Sequence, residues 1–106
     1  MVEEYGEAMR VDLVYDLDCP NVAAARTALA EAFVVAGLAP SWNEHCRTDG
    51  ALPAHVEGYG SPTILVDGRD VMGEPAGTAR CCRLYPGGSK APPRDAIVAA
   101  LRRSSS

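Results

Sequence analysis

The sequence is poor in aromatic residues and in positive charge. It has one Trp and one Phe in 106 residues, and a single lysine, Lys90, stands against nine arginines. The formal net charge is −4. That balance argues against nucleic acid as a main partner, because phosphate binding needs a basic field. Only Arg102-Arg103 is locally basic. No apolar run approaches the ~18 residues of a membrane span, so no membrane association is expected. The acidic start, Met1-Val2-Glu3-Glu4, is followed by no apolar stretch, so no signal peptide is expected and the cytoplasm is the default compartment. There is no Cys-x2-Cys pair of the structural-zinc kind. There is also no phosphate-cradling loop, Ser-His-Asp order or dinucleotide fingerprint. The excess of Arg over Lys reads as genome base composition rather than function.

What is present is ordinary for a globular protein: 47% hydrophobic and 23% charged residues. A chain of this length makes one domain, 1–106, with a core over about 10–103 and flexible ends at 1–9 and 104–106. It can bury a core without disulfide staples. In the cytoplasm its four cysteines are expected to be reduced thiols.

Residues 10–17 alternate, with Val11, Leu13, Tyr15 and Leu17 on one face and Asp12, Val14 and Asp16 on the other. This is a strand of period two. Asp18-Cys19-Pro20-Asn21 breaks it and opens a helix, Pro20 fitting the first helical position. Val22, Ala25, Leu29, Phe33 and Ala36 follow at helical spacing, and Gly37 closes the helix. Residues 40–46 form a second strand, polar enough for a sheet edge, and a short weak helix is expected near 51–57. Residues 61–66 form a third strand. Asp67-Gly68 is a two-residue hairpin signal, and residues 69–72 return as a fourth strand. Residues 73–91, with four Gly, two Pro and the remaining two cysteines, read as a long functional or mobile loop. Pro92-Pro93 opens a last helix whose apolar side is Ile97, Val98, Ala100 and Leu101. The order is β-α-β-(α)-β-β-α. The fold class is α/β, with a four-stranded mixed sheet in spatial order 2-1-3-4, strands one and two parallel, and the two long helices on one face.

A strand ending in Asp18-Cys19-Pro20-Asn21, a helix, and then Gly60-Ser61-Pro62-Thr63-Ile64-Leu65-Val66-Asp67-Gly68 resemble the thioredoxin/glutaredoxin-like superfamily over about residues 10–103. Cys82-Arg83-Leu84-Tyr85 adds a likeness to small thioredoxin-family proteins, some labelled alkylmercury lyase-like. The resemblance implies a thioredoxin-like fold, Cys19 as the nucleophile and Pro62 as a cis-proline facing it. The departure is at the fourth motif position: Val22 stands where dithiol members have a resolving cysteine. Dithiol chemistry within Cys-Pro-Asn-Val is therefore impossible.

At the helix start, Cys19 lies where the partial positive charge of the backbone favours a thiolate, while the carboxylates of Asp16 and Asp18 oppose it. It is either a nucleophile or soft-metal ligand, or an inert cysteine buried at a turn. Parallel strands one and two end at the same rim, which brings Cys46 to Cys19. The fourth strand returns to that rim near Met72-Gly73, so the loop with Cys81 and Cys82 starts there. All four thiols can gather at one end of the sheet. Cys46 is as readily an edge residue with no role. Against the reading of Cys81 and Cys82 as packed loop cysteines, function is favoured for at least one of them, Cys82 first because it matches the Cys-Arg-x-Tyr pattern. Isolated histidines such as His45 and His55 are more often surface residues than ligands. Trp42 and Tyr59 read as packing residues, not a binding platform. Arg80 and Arg83 could favour a neighbouring thiolate, bind an anionic thiol, or simply be solvated.

Three functions compete. The first is thiol–disulfide exchange catalysed by Cys19 with Cys82 or Cys81 resolving, and Pro62 beside the reacting sulfur. It needs no cofactor, and its partner is a protein or small-molecule thiol or disulfide. The second is binding or transfer of a soft metal ion such as mercury, copper or zinc by Cys19, Cys46, Cys81 and Cys82. The third is a non-catalytic thioredoxin-like scaffold that binds a protein partner. Val22 weakens the first and leaves the second untouched.

Overall fold

The computed structural model describes residues 9–48, 52–77, 85, 87 and 89–105. Strand β1 (Val11–Tyr15) leads through a tight turn into helix α1 (Val22–Ala36), and β2 (Asn43–Cys46) follows. A single 3-10 turn, Ala54–Val56, precedes β3 (Thr63–Val66) and β4 (Arg69–Asp70), and α2 (Arg94–Ser105) ends the chain. The architecture is α/β, with the four strands in the expected order β2-β1-β3-β4. β1 is parallel to β2 and antiparallel to β3, and β3 is antiparallel to β4.

The alternation in β1 splits the molecule in two. Val11 and Leu13 enter a large cluster with Val22, Ala25, Leu29 and Phe33 of α1, Ile64 and Val66 of β3, and Ile97, Val98 and Leu101 of α2. Both helices thus pack on one face, as their spacing predicts. Val14 points the other way, into a small cluster with Val56, Tyr59 and Leu65. Burying a Leu- or Ile-sized side chain contributes about 1.5–3 kcal/mol, so the helix-bearing face carries most of the hydrophobic stabilisation.

Local signals explain most boundaries. Helix α1 starts at Val22, after Pro20 and Asn21 have completed a turn. It closes on Gly37 at φ 77°, whose N–H donates to the Val34 carbonyl at 3.0 Å while Leu38 N–H donates to Phe33 at 2.9 Å. This crossed pair satisfies two otherwise orphaned carbonyls, and the left-handed φ suits glycine. In the β3–β4 turn both Asp67 (φ 53°) and Gly68 (φ 80°) have positive φ. Such a two-residue turn matches the twist of paired strands. Asp67 also accepts the Arg10 N–H at 2.9 Å and the Ser104 hydroxyl, tying the hairpin to β1 and α2.

Several element bounds differ from the sequence expectation: β1 spans Val11–Tyr15 rather than 10–17, β2 Asn43–Cys46 rather than 40–46, β3 Thr63–Val66 rather than 61–66, and α1 begins at Val22 rather than at Pro20. β4 has two residues instead of four: Asp70 accepts the Glu74 N–H through its carboxylate at 3.0 Å and the Gly73 N–H through its carbonyl at 2.8 Å. Those bonds turn the chain off the sheet. The weak helix near 51–57 is only a 3-10 turn, because Pro53 and Gly58 leave no room for more. At the C-terminus, α2 runs on through Ser105, past the boundary expected at 103. Among the described residues, no helix is long and apolar enough to cross a membrane.

Candidate functional site

Strands β1 and β2 end side by side, with Tyr15 in register with Cys46. Beyond Tyr15, Asp16 acts as an anchor. Its N–H donates to the Ser61 hydroxyl at 2.8 Å, and its carbonyl accepts the Cys19 N–H at 3.1 Å. One residue therefore ties the Cys19 turn to the segment that opens β3. The pairing of Val14 with Thr63 puts Pro62 next along, beside the end of β1. The Ser61–Pro62 peptide is cis, as the resemblance implies. Its surroundings are well bonded: the Pro62 carbonyl accepts the Tyr85 hydroxyl, and the Thr63 hydroxyl donates to Gly60 at 2.8 Å.

Cys19 lies two residues before Asn21, which closes the turn into α1. The Val22 N–H reaches back to the Cys19 carbonyl at 3.5 Å, and Asn21 makes no side-chain cap. The first turn of α1 thus presents backbone N–H groups near Cys19, the end of the helix where negative charge is favoured. The Asp16 carboxylate is paired with Arg47 at 3.0 Å. The Arg47 N–H also donates to Tyr15 at 2.7 Å, fixing the far side of the turn. Cys19 is 8% exposed and Cys46 6%, and neither is in a disulfide. The Cys46 sulfur lies 3.1 Å from the Thr48 hydroxyl. Cys19, Cys46 and Pro62 all lie at one end of the sheet. Cys81 and Cys82 lie outside the described residues, as do Arg80 and Arg83.

Other side chains have structural partners. Trp42 stacks on Phe33 with centroids 6.0 Å apart, and Tyr59 is buried in the small cluster, so both are packing residues as expected. Glu44 accepts two bonds from Arg26, at 3.0 and 2.8 Å, and one from the Trp42 indole N–H at 3.0 Å. The Arg26 bond is the main reason its carboxyl is held below the ordinary carboxylate range, with the Trp42 bond assisting and burial opposing. A groove of about 840 Å³ runs between the β3–β4 hairpin and α2, lined by Asp67, Arg69, Asp70, Glu74 and Arg103 among others. It includes neither Cys19 nor Pro62, so it is separate from the thiol rim.

A second constellation was not expected from the sequence. Asp12, in the middle of the sheet, is 1% exposed and points away from the helices. Its two carboxylate oxygens accept from two different imidazoles: His45 Nε2 at 2.8 Å and His55 Nε2 at 3.1 Å. The two rings meet edge to face, with centroids 6.1 Å apart. The one signal in the sequence was an aspartate at a strand position otherwise suited to burial. Compared with known protein families, curated proteins and solved structures, the chain matches none.

Proposed function

We propose that the protein is a thioredoxin-like thiol redox protein that works at the Cys19 rim. The observation that carries this reading is the pairing of a reduced cysteine just ahead of α1 with a cis-proline segment, both anchored on Asp16. Cys19 supplies the sulfur that attacks. Small exposure of Cys19 restricts approach to the rim side. The cytoplasm, where thiols are kept reduced, is the compartment that suits this chemistry.

The exchange balances as follows. The Cys19 thiolate attacks one sulfur of a substrate disulfide. The substrate S–S bond breaks, a mixed disulfide forms, and the departing thiolate takes up a proton. Cys82 or Cys81 then gives up its proton and attacks the Cys19 sulfur, releasing the second substrate thiol. One substrate disulfide is reduced to two thiols while two protein thiols become one disulfide, and the reverse sequence oxidises a dithiol. Val22 occupies the motif position where a resolving cysteine would stand, so the resolving thiol in this proposal comes from outside the motif, from Cys82 or Cys81.

Mild oxidation followed by intact mass and peptide mapping tests the reading. The expected result is a loss of two hydrogen atoms to the oxidant and a Cys19 link to Cys82 or Cys81, abolished in Cys19→Ser. A bond between other cysteines, or a Cys19 inert to alkylating reagents in the folded protein, overturns it. A stoichiometric Hg²⁺ or Cu⁺ adduct on the reduced thiols, with no disulfide formed under oxidant, would instead support thiolate binding of a soft metal.

A further inference from the structure

A carboxylate buried in a sheet is costly unless its oxygens are satisfied. Asp12 meets that demand with two imidazoles that arrive from elsewhere in the chain, 33 and 43 residues away. Sheet register explains the first. Val14 pairs with His45, so His45 shares the face of Val14 and Asp12. The second comes from the Ala54–Val56 turn, held against the sheet by Val56, which is fully buried with Val14, Tyr59 and Leu65. Two strands and a pinned turn thus converge three donor groups on one point. Their donor atoms all lie within 4.8 Å of one another.

We propose that Asp12, His45 and His55 form a binding site for a divalent transition-metal ion of the zinc class. Two imidazole nitrogens and one carboxylate oxygen are a borderline donor set. It suits Zn²⁺, Co²⁺ or Ni²⁺ rather than the all-oxygen preference of Ca²⁺ and Mg²⁺ or the soft preference of Cu⁺ and Hg²⁺. Zinc–nitrogen and zinc–oxygen bonds of ~2.0–2.2 Å set ligand atoms roughly 3.3–3.5 Å apart around a tetrahedral ion. The two hydrogen bonds, 2.8 and 3.1 Å, end on different carboxylate oxygens, and the three donor atoms lie within 4.8 Å of one another, so the widest pair closes by roughly an ångström when the ring side chains draw in around the ion. Each Nε2 now carries the proton it donates to Asp12. Binding moves that proton to Nδ1 or to solvent and frees the Nε2 lone pair for the ion. His45 and His55 are 18% and 27% exposed at their side chains, so an ion has a path in past the rings. Three protein ligands leave a position for water, the ligand count of sites where metal does chemistry.

The site faces away from the helices, whereas Cys19 belongs to the helix-side core. Cys46 shares its side of β2 with Glu44, which meets Arg26 of α1, so it too faces the helices. The proposal is therefore independent of the thiol chemistry, and either can fail without the other. Chelator-stripped full-length protein should take up one Co²⁺ per chain. The bound ion should show visible d–d absorption without the near-ultraviolet charge-transfer band of a cobalt thiolate. Zn²⁺ should compete for it and raise the melting temperature. His55→Gln, at a partly exposed turn, should keep the native circular dichroism and weaken Co²⁺ binding by roughly a hundredfold or more, beyond the ~10–100-fold typical of losing an outer-shell partner. If that variant does not fold, His45→Gln on the edge strand carries the same expectation. Absence of Co²⁺ uptake would show a hydrogen-bonded clasp and no ion site. Uptake that persists undiminished in a folded histidine variant, or that carries the thiolate band, would equally overturn the proposal.

Discussion

On the helix-bearing face of the sheet, Leu13, Leu29, Ile64, Ile97 and Leu101 are fully buried against one another. Among the described residues, the opposite face has a smaller apolar cluster, Val14, Val56, Tyr59 and Leu65, beside a carboxylate and two imidazoles. Strand β1 serves both: Leu13 goes into the dry core, and its neighbour Asp12 goes into the polar clasp. The difference shows how a small domain divides its labour. One face is left free to be apolar and close-packed. The other is covered by a short segment, 52–60, that is too small to bury much and is held partly by hydrogen bonds and a close backbone approach.

The sharpest break in this comparison is a pair of truncations. Leu29→Ala should cost about 2–5 kcal/mol, because it removes a fully buried side chain and leaves a cavity between α1 and the sheet. Val56→Ala should cost only about 1.5 kcal/mol, since it removes two methylene equivalents at ~0.8 kcal/mol each from the smaller apolar cluster. Urea unfolding of both variants measures the contrast, and equal losses would mean that the second face is as tightly built as the first.

Gly58→Ala probes how the covering segment is pinned. Gly58 has φ +87°, and a Cβ there would meet the Gly77 nitrogen at 2.9 Å. The same approach carries a hydrogen bond, Gly77 N–H to the Gly58 carbonyl at 2.8 Å. The substitution combines a left-handed backbone with a backbone clash, so a loss of about 1–3 kcal/mol is expected. Hydrogen exchange should rise in residues 52–60 and 73–77 and stay unchanged in α1. Uniform loss of protection would contradict the division between faces.

The smallest effect belongs to Glu44, on the helix side of the edge strand. Its carboxyl is held below the ordinary range, so the unfolded chain takes up a proton at higher pH than the folded one. The stabilisation is whole above the unfolded value of about 4.3 and disappears as pH falls through the lower folded value. Arg26 is 45% and Glu44 31% exposed at the side chain, so solvent screens the pair. Its worth is roughly 0.2–1 kcal/mol, the range of exposed ion pairs. Glu44→Gln should reduce stability by that amount at pH 7 and flatten the acid limb between about pH 4.5 and the folded value. An unchanged acid limb would count against the pair.

The elements were legible wherever the signal was local. Alternation gave β1 its two faces, helical spacing gave α1 and α2, Gly37 closed a helix, and Asp67-Gly68 turned a hairpin. Each depends on residues within a few positions of one another, where backbone sterics and solvent partition act directly. The order 2-1-3-4 followed from the same elements, because a βαβ crossover and a hairpin leave few ways to pair. Cys19 and Pro62 were singled out by the resemblance of Cys19-Pro20-Asn21 and Ser61-Pro62-Thr63 to thioredoxin-like motifs. Cys81 and Cys82 fall outside the described residues, so that half of the expected thiol cluster has no counterpart in the structural comparison.

Tertiary structure alone decided the rest. It cut β4 short, because the Asp70 carboxylate had a backbone N–H at Glu74 to accept. It made Asp16 the link between Cys19 and Ser61, through bonds that span 45 residues on one side and a single turn on the other. It also joined Asp12 to His45 and His55. No short-range pattern encodes that meeting, since it depends on the register of β2 against β1 and on where Val56 anchors a turn. Sequence fixes which side chain points to which face. Which distant side chains then meet is set by strand register and packing, and those exist only once the chain has folded.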